Sequence, residues 1–338
     1  MPAKTMKAVQ IHQFGEPSVL RYEDVAVPEL QPGEVLVRVH ADGLNPPDWY
    51  LREGMSMLPP EMRPQLPFPY ILGTDVSGVI AAVAEGVAGF VIGDEVFGML
   101  RFPSLGSSAY AEYVAAPVSE LDRKPAGVSH EQAAAVAMSG LTAWQYLIEL
   151  GHDHPNPIQA EKHVPVPITP GMTVMVNGAA GGVGHLALQL AKWKGARTIA
   201  VASGRHEAFL RDLGADEFID YTKESAEDVV RDVDLVVDNV GGPTSRRFLP
   251  TLKRGGALFP VFLGQFDPEE VAMFGVTVSA TQVRTNGAQL GQIGRLLQAG
   301  ALRIAIDSTF PLQEAAAAHL HAENGHLQGK IVLKVVTP

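Results

Sequence analysis

A glycine-rich octet, NGAAGGVG at residues 177–184, is the feature that most constrains how this chain can fold. It follows the apolar run TVMV and precedes HLALQLAKWKGA, in which Leu186, Ala187 and Leu190 recur at helical spacing. A strand, a tight glycine turn and a helix in this order are typical of a dinucleotide-binding unit, whose helix N-terminus faces a phosphate. The octet therefore predicts a phosphate-binding turn, although a purely structural turn would use the same glycines.

Three positions of the octet match the GxGxxG fingerprint of such turns. Ala179 stands at the first glycine position, Gly181 at the second and Gly184 at the third. Gly181 would let the backbone approach a pyrophosphate, and Gly184 would let helix and strand pack closely. Gly182 and Val183 complete the turn and are predicted to belong to the same site.

The chain after residue 172 alternates between strand and helix patterns. Runs rich in Val and Ile suit a parallel sheet that is buried on both faces. A helix over 129–150 precedes them, with Ser129 and Gln132 at the two positions of a capping box. Six strands, as a doubly wound dinucleotide-binding sheet requires, are predicted at 173–177, 197–203, 217–220, 234–239, 257–262 and 276–283.

The first part of the chain has a different character, with short alternating strands and many prolines. This proline density excludes long helices and indicates a mostly-β, loop-rich domain. The closing strand GKIVLKV has no helix after it to extend a parallel array, so we expect it to rejoin the first domain. The predicted division is therefore 1–128, completed by 285–338, and a dinucleotide-binding domain at 129–284.

The end of the second predicted strand indicates which dinucleotide is bound. Proteins that prefer NAD place an acidic residue there, which binds the ribose 2′-hydroxyl. Here Ser203, Gly204 and Arg205 stand in its place, and Tyr221 ends the next strand. A hydroxyl and a guanidinium would accept a 2′-phosphate that a carboxylate would repel, so NADPH is the predicted cofactor. The alternative is that Arg205 is a solvated charge at a helix start.

The ends of the fourth and fifth predicted strands supply further candidates. Ligands of open α/β sheets bind beyond the carboxyl ends of the strands. Asn239, Val240 and Gly241 follow the fourth strand, and Phe262 and Gly264 follow the fifth. We predict that these residues lie near the cofactor, although either glycine would also serve an ordinary turn.

Composition limits the classes of partner. The chain has 338 residues, no cysteine and a formal net charge of −11. The acidic balance opposes nucleic acids and anionic membranes as partners, whose binding requires positive charge. Without cysteine there is neither a disulfide nor a thiolate metal site. The absence of cysteine makes a cytoplasmic protein the expectation, and no apolar segment is long enough for a membrane span or a signal peptide.

With these residues placed, the chain resembles the medium-chain dehydrogenase/reductase superfamily, and within it the zinc-independent quinone oxidoreductase (zeta-crystallin-like) branch. The resemblance extends over nearly the whole chain, in the order MKAVQIHQFGEPSVL, PGEVLVRVHADGLNPPDWYLREG, PYILGTDVSGVIAAVAEGV, SGLTAW, NGAAGGVG, VVDNVGG and GKIVLKV. It implies a GroES-like, mostly-β catalytic domain joined to a Rossmann domain with a six-stranded parallel sheet. It also implies a homodimer.

The resemblance bears on metal chemistry as well. Zinc-dependent relatives carry Cys, His and Cys ligands, and at the first two of these positions this chain has Asn45 and the region around Thr74. No metal ligands are therefore predicted. What remains is hydride transfer to an acceptor whose conjugated system delocalises the incoming charge without a Lewis acid.

The resemblance places Asn45, Asp48 and Tyr50 along the nicotinamide pocket, with Thr142 close by. Chemically, Asn45 can hydrogen-bond a carbonyl and Tyr50 can donate a proton to a developing oxyanion. The alternative for Asn45 and Asp48 is a turn with a capping carboxylate. For Thr142 it is a helix-interior threonine that bonds its own backbone.

The expected function is NADPH-dependent reduction of a quinone or a similar electron-poor conjugated small molecule. One alternative is an enoyl-thioester or enone reductase, because the same cleft serves both. The other is a non-catalytic, crystallin-like protein that only binds NADPH. The physiological acceptor does not follow from the sequence.

Two segments depart from the family pattern. Residues 151–171 carry three histidines and five prolines, for which a surface loop is more typical than a metal site because the ligand spacing is loose. Residues 55–70, rich in Met and Pro, form either an apolar lid over the acceptor or ordinary interdomain packing.

Overall fold

The computed structural model describes residues 5–154 and 163–335 of the chain, and within these ranges the strands form three sheets. The strands are β1 (Thr5–Ile11), β2 (Arg21–Ala26), β3 (Glu34–Gly43), β4 (Tyr70–Ile71), β5 (Asp75–Val83), β6 (Glu95–Met99), β7 (Tyr113–Pro117), β8 (Leu121–Arg123), β9 (Thr173–Asn177), β10 (Arg197–Ala202), β11 (Glu217–Asp220), β12 (Val233–Asp238), β13 (Leu252–Pro260), β14 (Thr277–Val278), β15 (Ile306–Pro311) and β16 (Lys330–Lys334). The α-helices are α1 (Pro46–Arg52), α2 (His130–Leu147), α3 (Gly184–Trp193), α4 (Glu207–Asp212), α5 (Ala226–Val229), α6 (Pro268–Phe274), α7 (Gly287–Gln298) and α8 (Ala315–Glu323).

The six-stranded sheet is parallel throughout, in the order β11-β10-β9-β12-β13-β14. Its central strand β9 carries the glycine octet at its carboxyl end, between β10 on one side and β12 on the other. The strand order reverses at this point, so the octet lies at the crevice where doubly wound sheets bind their ligands. The predicted Rossmann-type α/β fold is confirmed.

Burial explains why these segments form these elements. In α3, Leu186, Ala187 and Leu190 have no exposed surface and pack into the main core of the molecule. Helix α2 begins as predicted, because the Ser129 hydroxyl accepts from the Gln132 N–H and the Gln132 side chain accepts from the Ser129 N–H. The helical period and the capping box were therefore sufficient to locate both helices.

The seven-stranded sheet is built mainly from the first part of the chain, in the order β15-β16-β3-β5-β6-β8, with β7 also paired to β3. The closing strand β16 pairs antiparallel with β3, with Val332 opposite Gly43. A separate three-stranded sheet has the order β2-β1-β4. The C-terminal strand thus returns to the sheet of the first part of the chain and places Lys330 beside the residues that follow β3.

Helix α2 lies between the two large sheets. It packs against β3, β5 and β6 on one side and against α3 and α7 on the other. The Asp75 carboxylate at the start of β5 accepts a 3.0 Å hydrogen bond from the Met138 N–H within α2. This contact fixes the helix against the seven-stranded sheet.

The sixth predicted strand, at 276–283, is much shorter in the structure. Only Thr277 and Val278 pair with β13. Beyond them, the Tyr146 hydroxyl of α2 accepts from the Thr281 N–H, and the Gln145 side chain accepts from the Arg284 N–H. Side chains of α2 therefore bind the backbone groups that a longer strand would have used. None of the helices in the described ranges is both long and apolar enough to cross a membrane.

Candidate active site

A cavity of about 710 Å³ lies where the six-stranded sheet meets the seven-stranded sheet. It runs from the glycine turn after β9 to helix α1 and the segment that follows it. This volume lies within the range of about 300–1,000 Å³ that is usual for small-molecule and cofactor sites. The predicted site residues that line it are Asn45, Tyr50, Thr142, Gly181, Gly182, Val183, Gly184, Ser203, Tyr221, Asn239, Val240 and Phe262.

Five predicted site residues do not line the cavity but lie next to it. Ala179 is fully buried and donates a 3.1 Å hydrogen bond to the Val201 carbonyl, which ties the turn to β10. Gly241 donates to the Asp238 carboxylate, and Gly264 forms a bridge with Gly242. Asp48 and Arg205 each hold a neighbour that does line the cavity, as described below.

Two glycines of the turn differ in the space around them, one being required by packing and the other being open to a ligand. An added Cβ at Gly184 would lie 2.2 Å from the Gly178 carbonyl oxygen, so this position admits no side chain. At Gly181 the nearest atom to an added Cβ is the same oxygen at 3.5 Å, an ordinary contact. Gly184 is therefore required by the packing of α3 on the turn. The bare backbone at Gly181 faces the cavity, which suits the close approach of a pyrophosphate.

The end of β10 is polar. Ser203 lines the cavity, and the exposed Arg205 donates from Nε to His206 Nε2 at 3.0 Å and from Nη2 to the His326 carbonyl. An acidic residue also lies here, because an added Cβ at Gly204 would be 2.3 Å from Asp220 Oδ2. The Asp220 carboxylate accepts from the Thr222 hydroxyl at 2.6 Å and pairs with Lys223 at 3.3 Å. The acid that the second strand lacks is thus supplied by the third strand, but hydrogen-bonded and paired.

The opposite end of the cavity is apolar. The rings of Tyr50 and Phe262 lie 5.6 Å apart, and Met55, Met57 and Leu58 complete this end. The first residues of the Met- and Pro-rich segment at 55–70 therefore line this end of the cavity. Further along the segment, Phe68 contacts Phe14 edge-to-face with ring centroids 5.0 Å apart, a contact within the first part of the chain. A lid over an acceptor stays a prediction.

The turn into α1 is a capping box. The Asp48 carboxylate accepts a 2.8 Å hydrogen bond from the Asn45 N–H, so Asp48 caps the helix as the alternative interpretation has it. The Asn45 side-chain amide donates to the Gly43 carbonyl at 2.7 Å. The Asn45 oxygen accepts from Lys330. The polar atoms of Asn45 are thus bound within the protein, and Tyr50 is the other polar side chain of this helix that lines the cavity.

Lys330 lines the cavity and was missed by the sequence reasoning. Its buried ammonium donates to the Leu44 carbonyl at 2.7 Å and to the Asn45 side chain. Its side chain also touches the glycine turn, because an added Cβ at Gly182 would lie 2.8 Å from Lys330 Cδ. The only available signal was the basic residue that follows the final glycine and begins the closing strand, and nothing local links it to Asn45.

Three aspartates, Asp42, Asp48 and Asp75, are buried around Lys330. Burial raises the pKa of Asp48 and of Asp75 to about 7, and burial together with the neighbouring carboxylates raises the pKa of Asp42 well above its usual value. Burial lowers the pKa of Lys330, although the three carboxylates act in the opposite direction. Lys330 is the member of this cluster that lines the cavity, and its contact with Asn45 joins the cluster to the turn into α1.

The structure also bears on the alternative interpretations of Thr142, as a helix-interior threonine, and of the histidines at 151–171, as surface-loop residues. The Thr142 hydroxyl donates to the Met138 carbonyl at 2.8 Å, as a helix-interior threonine does, although Thr142 also lines the cavity. Within 151–171, residues 155–162 lie outside the described residues. His163 is not a surface histidine, since it is buried against Phe259 with ring centroids 4.7 Å apart. His152 and His154 face each other with centroids 5.8 Å apart.

The donor set around the first two zinc positions does not suit a metal ion. The Asn45 oxygen is occupied by Lys330, and Thr74 offers only a hydroxyl. Across the described parts of the chain, no three His, Asp or Glu side chains are grouped as metal ligands. The residues present thus fail to fit a catalytic zinc ion, which takes three protein ligands.

Known proteins resemble the chain over almost its whole length. Residues 31–126 match the family described as alcohol dehydrogenase GroES-like domain, and residues 213–333 match zinc-binding dehydrogenase. The mitochondrial NAD(P)H oxidoreductase RTN4IP1 of Mus musculus is 34% identical over 98% of this chain and 89% of its own length.

Solved structures agree with this. A quinone oxidoreductase from Coxiella burnetii superposes with a TM-score of 0.83 at 35% identity, covering 98% of this chain and all of its own. The quinone oxidoreductase of Escherichia coli complexed with NADPH gives a TM-score of 0.83 at 25% identity, covering 97% of this chain and 100% of its own.

The prediction of a cytoplasmic protein is wrong. It rested on composition and on the absence of cysteine, whereas the mouse relative at 34% identity is a mitochondrial protein. A cysteine-free chain suits any compartment equally, since it neither gains nor loses disulfides with the redox state. Composition therefore carried no information about location here.

Proposed function

Because the chain belongs to the medium-chain dehydrogenase/reductase superfamily, in its quinone oxidoreductase branch, we propose that it reduces a quinone or a similar electron-poor conjugated molecule with NADPH and without zinc. The coarser statement, a nicotinamide-dependent oxidoreductase of the quinone oxidoreductase type, is the common property of these relatives. The choice of NADPH, the independence from zinc and the class of acceptor are the proposal.

One observation carries it: the same cavity joins the glycine turn to the apolar end formed by Tyr50 and Phe262. A dinucleotide on the turn would reach along this cavity, and a planar conjugated acceptor suits the aromatic walls. When bound, the cofactor supplies a hydride. The remaining tasks, which are to orient the acceptor, exclude water and donate a proton, fall to this chain's own residues.

Tyr50 is the proposed proton donor. It is half-buried, and burial raises the pKa of its hydroxyl, so the phenol keeps its proton at neutral pH. Asn45 and Asp48, which the resemblance places along the nicotinamide pocket as catalytic candidates, are proposed to position this turn instead. They fix the start of α1 through the capping box, and so fix Tyr50 one turn further on.

NADPH is favoured over NADH by the end of β10. Ser203 and Tyr221 line the cavity there, and Arg205 lies beside them with its Nη1 group uninvolved in the two hydrogen bonds described above. Asp220, the one nearby acid that would favour NADH, already accepts hydrogen bonds from Thr222 and pairs with Lys223. The positive group is therefore the one available to a ligand.

The test of the activity is turnover of NADPH with quinones, enones and aldehydes, followed by its absorbance. We expect turnover with quinones and no loss of rate after dialysis against a chelator. If the mass of the product shows a saturated carbon–carbon double bond and quinones are not reduced, the enone reductase is the correct function. Tight NADPH binding without turnover of any acceptor would favour the crystallin-like alternative.

Arg205→Asp tests the cofactor choice. Reversing this charge should raise the NADPH dissociation constant about 100-fold while changing that of NADH by less than about threefold, because NADH has no 2′-phosphate. Titration of protein fluorescence with each cofactor measures both constants. Equal weakening of the two cofactors would refute the role of Arg205.

A homodimer through the free edge of the six-stranded sheet is also proposed. Strand β14 pairs with β13 on one side, and among the described strands no other pairs with its outer edge. An unpaired edge favours addition of a strand from a second copy. Light scattering coupled to gel filtration measures the mass, and a monomer at micromolar concentration would reject this interface.

A further inference from the structure

Arg205 is held by a short chain of hydrogen bonds that joins a turn of the six-stranded sheet to a segment leading into the seven-stranded sheet. Its Nε donates to His206 Nε2 at 3.0 Å, and His206 Nδ1 lies 3.1 Å from Gln328 Oε1. His206 belongs to the turn after β10, whereas Gln328 lies in the segment that leads into β16. The buried imidazole therefore stands between the guanidinium and a side chain from a distant part of the chain.

The chemistry of the partners fixes the state of His206. A guanidinium has no acceptor, so the Arg205 Nε–H must donate and His206 Nε2 must accept. The ring is then the neutral tautomer with its proton on Nδ1, which donates to the Gln328 oxygen. A proton on both nitrogens would set two N–H groups against each other at the Arg205 contact.

The segment that carries Gln328 is anchored to both recognition turns. The Gly329 N–H donates to the Ala180 carbonyl of the glycine turn at 2.8 Å, and the His326 carbonyl accepts from Arg205 Nη2. Residues 325–330, which we call the C-terminal strap, thus connect the turn that faces the pyrophosphate with the turn that faces the ribose phosphate. His206 itself lines the cavity between these two contacts.

We propose that His206, held by Gln328 of the C-terminal strap, is a positioning residue that fixes the Arg205 guanidinium for the 2′-phosphate of NADPH. This inference rests on the proposed preference for NADPH. Two of the five guanidinium N–H groups are bound by the protein, which orients the plane and leaves both Nη1 N–H groups for a phosphate. An arginine oriented in advance loses less side-chain entropy when it binds, so selectivity depends on His206 as well as on Arg205.

The experiment measures dissociation constants of NADPH and NADH for the wild type, His206→Leu, His206→Gln and Gln328→Met. His206→Leu keeps most of the buried volume but removes the acceptor, and we expect the preference for NADPH over NADH to fall about tenfold. His206→Gln retains an oxygen that can accept from Arg205, so its preference should stay within about threefold of the wild type. Gln328→Met should lie between the two. The exposed His12→Gln, whose histidine pairs with Glu23 far from the cavity, is the matched control and should change neither constant.

The ratio of the two constants distinguishes positioning from mere structural damage. Partial unfolding of His206→Leu would weaken both cofactors together and leave the ratio unchanged, and this outcome overturns the proposal. An unchanged ratio in His206→Leu beside a collapsed ratio in Arg205→Asp overturns the positioning role and leaves the proposed function intact. An unchanged ratio in Arg205→Asp refutes the cofactor choice and the positioning role together.

Discussion

The two ends of the cavity are lined by different kinds of groups, polar and backbone groups at one end and apolar side chains at the other. At one end, backbone groups of the glycine turn and the His206 ring, which accepts a hydrogen bond from Arg205, form the wall. At the other end, the rings of Tyr50 and Phe262 and two methionines form it. We therefore expect substitutions at the two ends to affect different quantities.

Gly184→Ala should have the largest effect, because the new Cβ would overlap the Gly178 carbonyl oxygen. We expect dissociation constants for NADPH and NADH to rise together by more than about 100-fold, and the melting temperature to fall by several degrees, roughly 3 kcal/mol of strain. Gly181→Ala is the matched variant, since its Cβ meets only an ordinary contact. It should leave the melting temperature unchanged and weaken both cofactors about tenfold. Similar melting temperatures for the two variants would contradict the division between packing and ligand approach.

Lys330→Met tests how much the buried ammonium of Lys330 contributes to the free energy of unfolding. The substitution leaves three buried carboxyl groups without their cation and the Leu44 and Asn45 oxygens without their donor. We expect a loss of about 3 kcal/mol in the free energy of unfolding, measured with urea near neutral pH. Lys334→Met, on the same strand but paired with Glu131 at the surface, should cost less than about 1 kcal/mol. Equal losses would mean that Lys330 has no special role.

Tyr50→Phe should separate chemistry from binding. Loss of the hydroxyl should lower kcat with an enone about tenfold and leave the NADPH dissociation constant unchanged, because a saturated product needs a proton that Tyr50 would supply. Steady-state rates with an enone and a quinone measure this. Tyr22→Phe, an exposed position on β2, serves as the control. A change in NADPH affinity without a change in kcat would contradict the proposed role of Tyr50 as proton donor.

Asp42→Asn should have the smallest effect and one that depends on pH. Burial raises the pKa of Asp42 well above its usual value, so the folded protein holds a proton that the unfolded chain releases. The stability from this group is therefore complete below the unfolded pKa and is lost as pH rises through the folded pKa. The asparagine side chain does not titrate. The free energy of unfolding of the variant minus that of the wild type should therefore be about 1 kcal/mol higher at about pH 8 than at about pH 5. Urea unfolding at the two pH values measures the difference, and an opposite slope would contradict the direction of the pKa shift.

Much of the fold could be predicted because its signals are local. The parallel strands, helix α3 and the capping box of α2 follow from periodicity and short spacings that the structure preserves. The sixth strand could not be predicted at its true length, because Gln145 and Tyr146 of α2 compete for its backbone groups. This competition depends on which helix packs beside the strand, which periodicity does not encode.

Most of the site residues predicted from the sequence line the cavity, since strand ends of a parallel sheet meet at one edge. It did not reveal Lys330, because this residue reaches Asn45 from almost three hundred positions along the chain. It likewise predicted the missing acid after the second strand, whereas the sheet order brings Asp220 of the third strand to the same corner.

By itself, the sequence determined the strand, glycine turn and helix that are typical of a dinucleotide-binding unit, because the three elements are contiguous and their spacing alone directs backbone N–H groups toward one point. Only the tertiary structure decided which side chains surround that turn. The His206–Gln328 contact and the Lys330–Asn45 contact each join residues that the chain keeps far apart. They exist because β16 pairs with β3 and carries the C-terminal strap across the cavity, and strand pairing over such distances depends on the packing of the whole molecule rather than on any local pattern.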